Sequence, residues 1–340
     1  ARLNFARQRP HAYYWMDRPY LSLIDHYIHD ARLRQLLTLI TNYVSDDVTA
    51  LTVLDVAPLF QYYFENPRYP CGGSQAFANL LAETIRQHGG TIRLRAAAKR
   101  IVVEQGRAVG VELANGEIHQ AQAVISNADA RRTFTELIAP EHLPPDFLQC
   151  MADLKPSTSA FMVFLGLDCV PDIEPVTAIH AGGRNLWMAV TSKVDTSLAP
   201  AGHASVTLSM LLPQSEVGEW QRKTPGYVQH KREMGDRLID MAERAIPGLR
   251  AHIVYRQEAS PATFTRFAWP TSGAIYGLAA GQRRPPMKAP VERLYLVGSN
   301  VFPGPGIEAV VTSGATAANL LCPAALSSDC SPQDNFLRRS

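Results

Sequence analysis

Along the first part of the chain apolar residues return every three or four positions. In "PYLSLIDHYIHDARLRQLLTLITNYVS", Leu21, Ile24 and Ile28, then Leu33, Leu36, Leu37, Ile40 and Val44, fall on helical stripes. That spacing predicts amphipathic helices with their apolar faces turned to a core. In "CGGSQAFANLLAETIRQHGG", Ser74 is the expected N-cap, Phe77, Leu80, Leu81 and Ile85 form one face, and Gly89 and Gly90 supply the stop. The period then changes to two. "TIRLR", "KRIVVEQ", "AVGVELA" and "QAVISN" read as strands, with Asn115-Gly116 marking a tight hairpin. The pattern is a helix feeding a strand, then a small antiparallel meander and a return strand.

Farther on, "SAFMVFLGLD" and "HASVTLSMLL" have the composition of buried strands, and "HKREMGDRLIDMAERAIPGL" is a helix closed at Pro247-Gly248. A mixed sheet with flanking helices accounts for this region. "RLYLVG" is a last strand, followed by a Gly/Pro loop and a helix from Ile307 to about Leu321. Beyond it "CPAALSSDCSPQDNFLRRS" is a polar tail expected to fray.

Composition narrows the classes. A chain of 340 residues with 46% apolar and 19% charged residues is globular and has room for two domains or one large α/β unit. A net charge of +2 without a dense Lys/Arg run excludes a nucleic-acid footprint. Cys71, Cys150, Cys169, Cys322 and Cys330 form no C-x-x-C pair, so the spacing indicates neither a zinc site nor a disulfide scaffold, and no metal is expected. No apolar run reaches the roughly 18 residues of a membrane span. A reducing, intracellular setting follows from the cysteine usage. Isolated histidines such as His119, His180, His203 and His252 have no paired-ligand spacing and read as surface or satisfied groups.

The chemistry concentrates in "LYLVGSNVFPGPGIEAVVTSGATAANLL". Gly304, Gly306 and Ala309 satisfy the outline G-x-G-x-x-A, but a dinucleotide fingerprint must lead through a helix to a second strand with an acidic residue. Here the tail follows, and that reading fails. No glycine occurs from Ala1 to Cys71 either, so no such turn can lie within that stretch. A second use survives. The strand delivers Gly298 to the carboxyl end of a sheet, Gly304 and Gly306 let the backbone approach a ligand, and the helix points its positive end at it. Ile307, Val310, Val311, Gly314 and Ala318 form the expected buried stripe, while Ser313, Gly314 and Ala315 permit close packing. Such a site suits an anionic or carbonyl-bearing part of a cofactor. The same residues also suit a plain loop before a C-terminal helix.

Five stretches in order, "YPCGGSQAFANLLAETIRQHGG", "KRIVVEQGRAVGVELANG", "AVISNAD", "SPATFTRFAWPTSGAIYGL" and "LYLVGSNVFPGPGIEAVVTSG", cover roughly Pro70 to Leu321. Together they resemble the phytoene desaturase and carotenoid isomerase group of FAD-dependent oxidoreductases. The resemblance implies an α/β fold with a discontinuous, incomplete Rossmann-like FAD-binding domain and a mixed-sheet α+β substrate domain. Residues 1–59 would be the helical part of the substrate domain and 60–127 part of the FAD domain. Residues 128–255 would complete the substrate domain, 256–322 would close the FAD domain, and 323–340 would be a disordered tail. Gly298, Ser299 and Asn300 would sit by the pyrophosphate and ribityl chain. Gly304, Gly306 and Ile307 would lie under the flavin, and the backbone of Ala98 would reach the adenine. The family has its own G-x-G-x-x-G at the start, which this chain lacks. The resemblance therefore implies the C-terminal portion of a flavoenzyme, with an N-terminal half or a partner chain supplying the rest.

The implied reaction is hydride transfer from an apolar polyene to flavin, or flavin-assisted isomerisation, with no protein nucleophile required. Such a substrate implies peripheral contact with a membrane surface, and the expected setting is cytoplasmic. Arg184, Trp187, Arg266 and Trp269 stand near apolar neighbours, as tunnel lining or as ordinary packing. Two other readings stay open: a non-catalytic remnant or partner subunit, and an amine oxidase-like flavoenzyme, for which "GSNVFPGPG" offers Phe302 as its one aromatic.

Overall fold

The computed structural model describes residues 2–45, 47–64 and 68–322; the tail expected at 323–340, with Cys330, lies outside them. Two compact units emerge. One joins Ala1–Arg95, Pro156–Ile275 and Ala279–Gly281; the other joins Ala96–Lys155, Tyr276–Leu278 and the chain from Gln282 onward.

The first unit opens with α1 (Arg2–Gln8), α2 (Pro10–Trp15), α3 (Tyr20–Tyr27), α4 (Ala31–Leu39), a 3-10 turn over Ile40–Tyr43, α5 (Val53–Phe64) and α6 (Gly73–Gln87). Asp30 caps α4 by accepting from the Leu33 N–H. Tyr20, Ile24, Ile40, Leu51 and Val56 form a small core of these helices. The expected stripe is only partly inside, because Leu33 and Leu36 are exposed.

The second unit begins with a three-stranded antiparallel meander, β1 (Ala98–Glu104), β2 (Arg107–Leu113) and β3 (Ile118–Gln120), turning at Gly116. It continues through β4 (Val124–Ser126), α7 (Ala130–Thr135) and α8 (Pro145–Ala152). The chain then returns to the first unit through β5 (Ser159–Leu167), β6 (Val176–Ala181), β7 (Arg184–Val190), β8 (Ala204–Leu212), α9 (Gln214–Val217), α10 (Tyr227–Ala242), β9 (Ile253–Ala259) and α11 (Pro261–Ala268). Its strands make a five-stranded sheet in the order β6-β7-β8-β5-β9, antiparallel at every described pair. Alternate residues of β5, β7 and β8 are buried with Leu238, Ile239 and Ala242 of α10, so α10 closes one face of the sheet. Back in the second unit, β10 (Leu294–Leu296) pairs with β4 in parallel, and α12 (Ile307–Leu321) follows. Phe134, Met151, Leu294, Leu296 and Val301 share its core.

Several expectations change. The helix of "CGGSQAF" is capped by Gly72 in a left-handed conformation, and Ser74 sits inside its first turn. Gly72 holds that place because its N–H donates to Asp195 Oδ2 at 2.7 Å. "TIRLR" is not a strand but a turn with Arg95 at φ +57. A strand needs a neighbouring ladder, and among the described residues this stretch has none. The face made by Leu80, Leu81 and Ile85 is accordingly exposed.

The units also divide the chain at other places than residues 60, 128 and 256. The loop before α6 is tied to Asp195 and lies against Leu198, which draws α6 into the first unit. Phe134 and Met151 pack with β4 and β10, which draws 128–155 into the second. Pairing of β9 with β5 keeps 256–259 in the first.

Candidate functional site

Strands β4 and β10 run in parallel with Ser126 opposite Leu296, so Asn127 and Gly298 leave their carboxyl ends side by side. That edge is where open α/β sheets take ligands. Gly298 has φ +92, and a Cβ there would stand 2.2 Å from Asn127 Oδ1, so only glycine fits. The Gly298 N–H donates to the buried Ser313 Oγ at 2.9 Å, and Ser313 donates in turn to Val310 O at 2.8 Å. This pair pins the start of the loop to the second turn of α12.

Arg284 fixes the loop from another side. Its Nη1 donates to Ser299 O at 2.7 Å. Gly304 has φ +122, and a Cβ there would lie 3.0 Å from Arg284 Nη2. Gly306, at φ +108, begins α12 with no side-chain cap, and open space faces it. Asn300 is 6% exposed, and its Oδ1 is buried with no hydrogen-bond partner. A buried acceptor without a donor costs about 1–3 kcal/mol, which a donor on a ligand would recover.

Of the residues expected at a cofactor, Gly298, Ser299, Asn300, Gly304, Gly306 and Ile307 come together in this loop and helix start. Ala98 opens β1 opposite Leu113, on another sheet. The buried face of α12 is not the expected one: Ser313 and Ala317 are buried, whereas Ile307 and Val311 are exposed. The Ser313 contact with Gly298 sets that rotation, because two small residues one turn apart let the helix lie against the strand end. Sequence reasoning missed Arg284 and the role of Asn127. "GQRRPP" has no pattern that would have pointed to Arg284.

A second surface lies wholly in the first unit. Opposite α10, the sheet presents Met162 and Phe164 of β5, Trp187 and Ala189 of β7, and Thr207 and Ser209 of β8, all half-buried. They form two cross-strand rows, Met162–Ser209–Trp187 and Phe164–Thr207–Ala189. Trp187 packs against Tyr43 with ring centroids 5.2 Å apart, and Asn185 Nδ2 donates to Asn42 Oδ1 at 2.7 Å. The turn after α4 therefore lies on this apolar face. Arg266 lines a cavity of about 500 Å3 with Trp220 and Thr265, and Arg184 lines another of about 290 Å3 with Trp220 and Met241. Trp269 ends α11 in a left-handed conformation, half exposed.

The chain matches the family described as flavin containing amine oxidoreductase over residues 24–322. Prolycopene isomerase, chloroplastic, of Daucus carota is 29% identical over 272 residues, covering 74% of this chain and 43% of that protein. The 4,4'-diapophytoene desaturase (4,4'-diapolycopene-forming) of Methylomonas sp is 27% identical, covering 74% of this chain and 53% of that protein. A 4,4'-diaponeurosporene oxygenase of Staphylococcus aureus is 28% identical, covering 87% and 63%. The chain thus spans about half the length of the curated relatives it matches. Among solved structures, an oxidoreductase from Methanosarcina mazei superposes with a TM-score of 0.69 at 18% identity, over 93% of this chain and 70% of that one. A putrescine oxidase redesigned in its cofactor binding gives 0.65 at 12% identity, over 94% and 73%. These two likenesses establish the fold. Among the described residues no helix is long and apolar enough to cross a membrane.

Proposed function

The chain belongs to the flavin containing amine oxidoreductase family, and from that premise we propose that it is part of an FAD-dependent carotenoid desaturase or isomerase. The observation that carries this reading is the buried, unpartnered Asn300 Oδ1 in a glycine loop at the carboxyl ends of parallel β4 and β10. The relatives named for prolycopene isomerase and diapophytoene desaturase support the apolar polyene as substrate class.

In this reading the second unit carries the flavin site. Gly298, Ser299 and Asn300 hold the pyrophosphate and ribityl portion, with Asn300 Oδ1 accepting a hydrogen bond. Gly304, Gly306 and Ile307 support the ring, where the missing Cβ atoms permit close approach, and the Ala98 backbone meets the adenine. FAD, when bound, supplies the acceptor for a hydride or the electrons for a redox-neutral change of bond geometry. The first unit carries the polyene on its half-buried sheet face, where Met162, Phe164, Trp187 and Ala189 exclude water and orient an extended apolar chain.

The exposed faces of α6 and α12 suit burial by further polypeptide, from the same chain or a partner, in keeping with the greater length of the relatives. Tyr13, Tyr14, Tyr27 and Leu36 are exposed on α2, α3 and α4, and Arg7, Arg9, Arg18 and Arg34 lie on α1, α4 and the connections between these helices. They suit peripheral contact with the membrane in which such substrates dissolve.

The test is flavin content. The natively isolated protein is expected to release one FAD per chain on denaturation. Asn300→Leu should lower retention roughly tenfold, the effect of one lost buried hydrogen bond. A native preparation that contains no flavin and takes up none from added FAD would overturn the proposal.

A further inference from the structure

Away from the glycine loop, the end of β5 meets the beginning of β9. Leu167 pairs with Ile253, after an irregularity in the ladder at Gly166 and Leu167. The next residue out on each strand is Asp168 or His252, joined by a bond from the Asp168 N–H to His252 O at 3.1 Å. Their side chains meet as well, with His252 Nδ1 2.8 Å from Asp168 Oδ1. Cys169 follows, half-buried against the core that α10 covers.

One ligand atom each from Asp168, Cys169 and His252 lies within 4.8 Å of the other two. We propose that these three side chains form a zinc site. Thiolate, imidazole and carboxylate together are the ligand set of a borderline-soft ion, which argues against magnesium and calcium. A zinc tetrahedron has ligand atoms about 3.3–3.7 Å apart, given bonds of about 2.0–2.3 Å. Rotation of the exposed Asp168 and His252 side chains, exchanging their mutual 2.8 Å contact for bonds to the metal, would close the difference. The Asp168 N–H bond to His252 O, beside the Leu167–Ile253 pair, already holds those two backbones together, and Cys169 is the next residue along.

With three protein ligands, the fourth corner is left to water or an added ligand. Spacing along the sequence gives no sign of this site: His252 lies far from Asp168 and Cys169 along the chain and is brought to them by the β5–β9 pairing. The site stands in the first unit and does not depend on the flavin reading.

The test is titration of the chelator-treated full chain with Co2+ and then Zn2+. One Co2+ per chain is expected, with a sulfur-to-cobalt charge-transfer band that Zn2+ displaces. Cys169→Ser should abolish the band, and His252→Gln, at an exposed position, should weaken binding about 100-fold or more. Each variant is checked for native circular dichroism. Zn2+ should also raise the thermal midpoint of the parent chain and not of His252→Gln. The proposal falls if no saturable binding occurs, if the bound cobalt shows no sulfur band, or if His252→Gln binds as tightly as the parent. The exposed Cys71, Cys150 and Cys322, and Cys330 outside the described residues, are the other sulfur donors, and a band that persists in Cys169→Ser would assign the metal to them and likewise overturn the site.

Discussion

In the first unit α10 closes one face of a five-stranded sheet with Leu238, Ile239 and Ala242, and the turn over Ile40–Tyr43 lies on the other. In the second, two parallel strands carry α12, whose Ile307, Val311 and Leu320 face outward, and a loop whose Asn300 Oδ1 has no partner. The first unit closes a large apolar core between α10 and the sheet, although its α6 leaves Leu80, Leu81 and Ile85 outside it. The second keeps apolar surface and a buried acceptor uncommitted, which is how a site for a ligand or a further segment differs from a finished core.

The comparison breaks most readily at Leu238, which is fully buried between α10 and the sheet. Leu238→Ala should cost about 2–5 kcal/mol, the loss of transfer energy plus the cavity left behind. Denaturation followed by Trp220, in the same core, should report the whole shift. Hydrogen exchange at the amides of β10 should stay unchanged. Equal loss of protection in β10 would mean that the two units unfold as one.

Next in size is an alkaline effect confined to the first unit. Tyr20 is 2% exposed and donates its hydroxyl to Leu37 O at 3.0 Å. Burial pushes its pKa up to about 12 from 10.0. The neutral phenol is thus favoured in the folded state. Its contribution is complete below pH 10 and is lost as the unfolded chain ionises between pH 10 and 12, by roughly 2–3 kcal/mol. Tyr20→Phe should flatten the fall in stability over that window. A slope unchanged in the variant would place the titrating group elsewhere.

The second unit is sharpened by two glycines with similar backbones and different neighbours. Gly298 and Gly116 have φ +92 and +88, but a Cβ on Gly116 meets nothing within 4 Å. Gly298→Ala adds a collision with Asn127 to the backbone strain, so it should cost about 1–3 kcal/mol, and Gly116→Ala only about 1. Thermal melts of both variants check this. Gly298→Ala should lower flavin retention as well, whereas Gly116→Ala should not.

Much of this contrast was legible in the sequence where a pattern is local. The strands β5 and β8, α12 and the glycine loop follow from periodicity and turn residues within a few positions. What was not legible depends on partners distant in the chain. Among the described residues "TIRLR" has strand periodicity but no ladder, and the face of α6 has helical spacing but nothing to cover it. Asp195 holds Gly72, Arg284 holds Ser299, and Ser313 decides which side of α12 is buried. Each of these choices is made by a contact across the fold, which spacing cannot carry.

The smallest expected effect lies at the acid end. Asp236 on α10 sits 2.7 Å from Arg256 and 3.4 Å from Arg250, and Arg256 also donates to Glu258 at 2.6 Å. The bond from Arg256 is the main cause that holds the Asp236 carboxyl below its usual range, with Arg250 adding to it. A carboxylate depressed in the folded state stabilises above its unfolded pKa and loses that contribution as the pH falls through the folded value. Asp236 is 40% exposed, so water screens the pair and the contribution is below about 1 kcal/mol. Glu112, in the second unit, is depressed in the same direction by its bonds from Lys99 and Arg100. Acid should therefore loosen both units, whereas alkali acts through Tyr20 on the first alone. Asp236→Asn should remove acid sensitivity from the exchange of α10 amides and leave that of β1 and β2 in place. If the variant changed both sets of amides alike, the acid response would belong to the whole chain, and the distinction between the units would hold only at high pH.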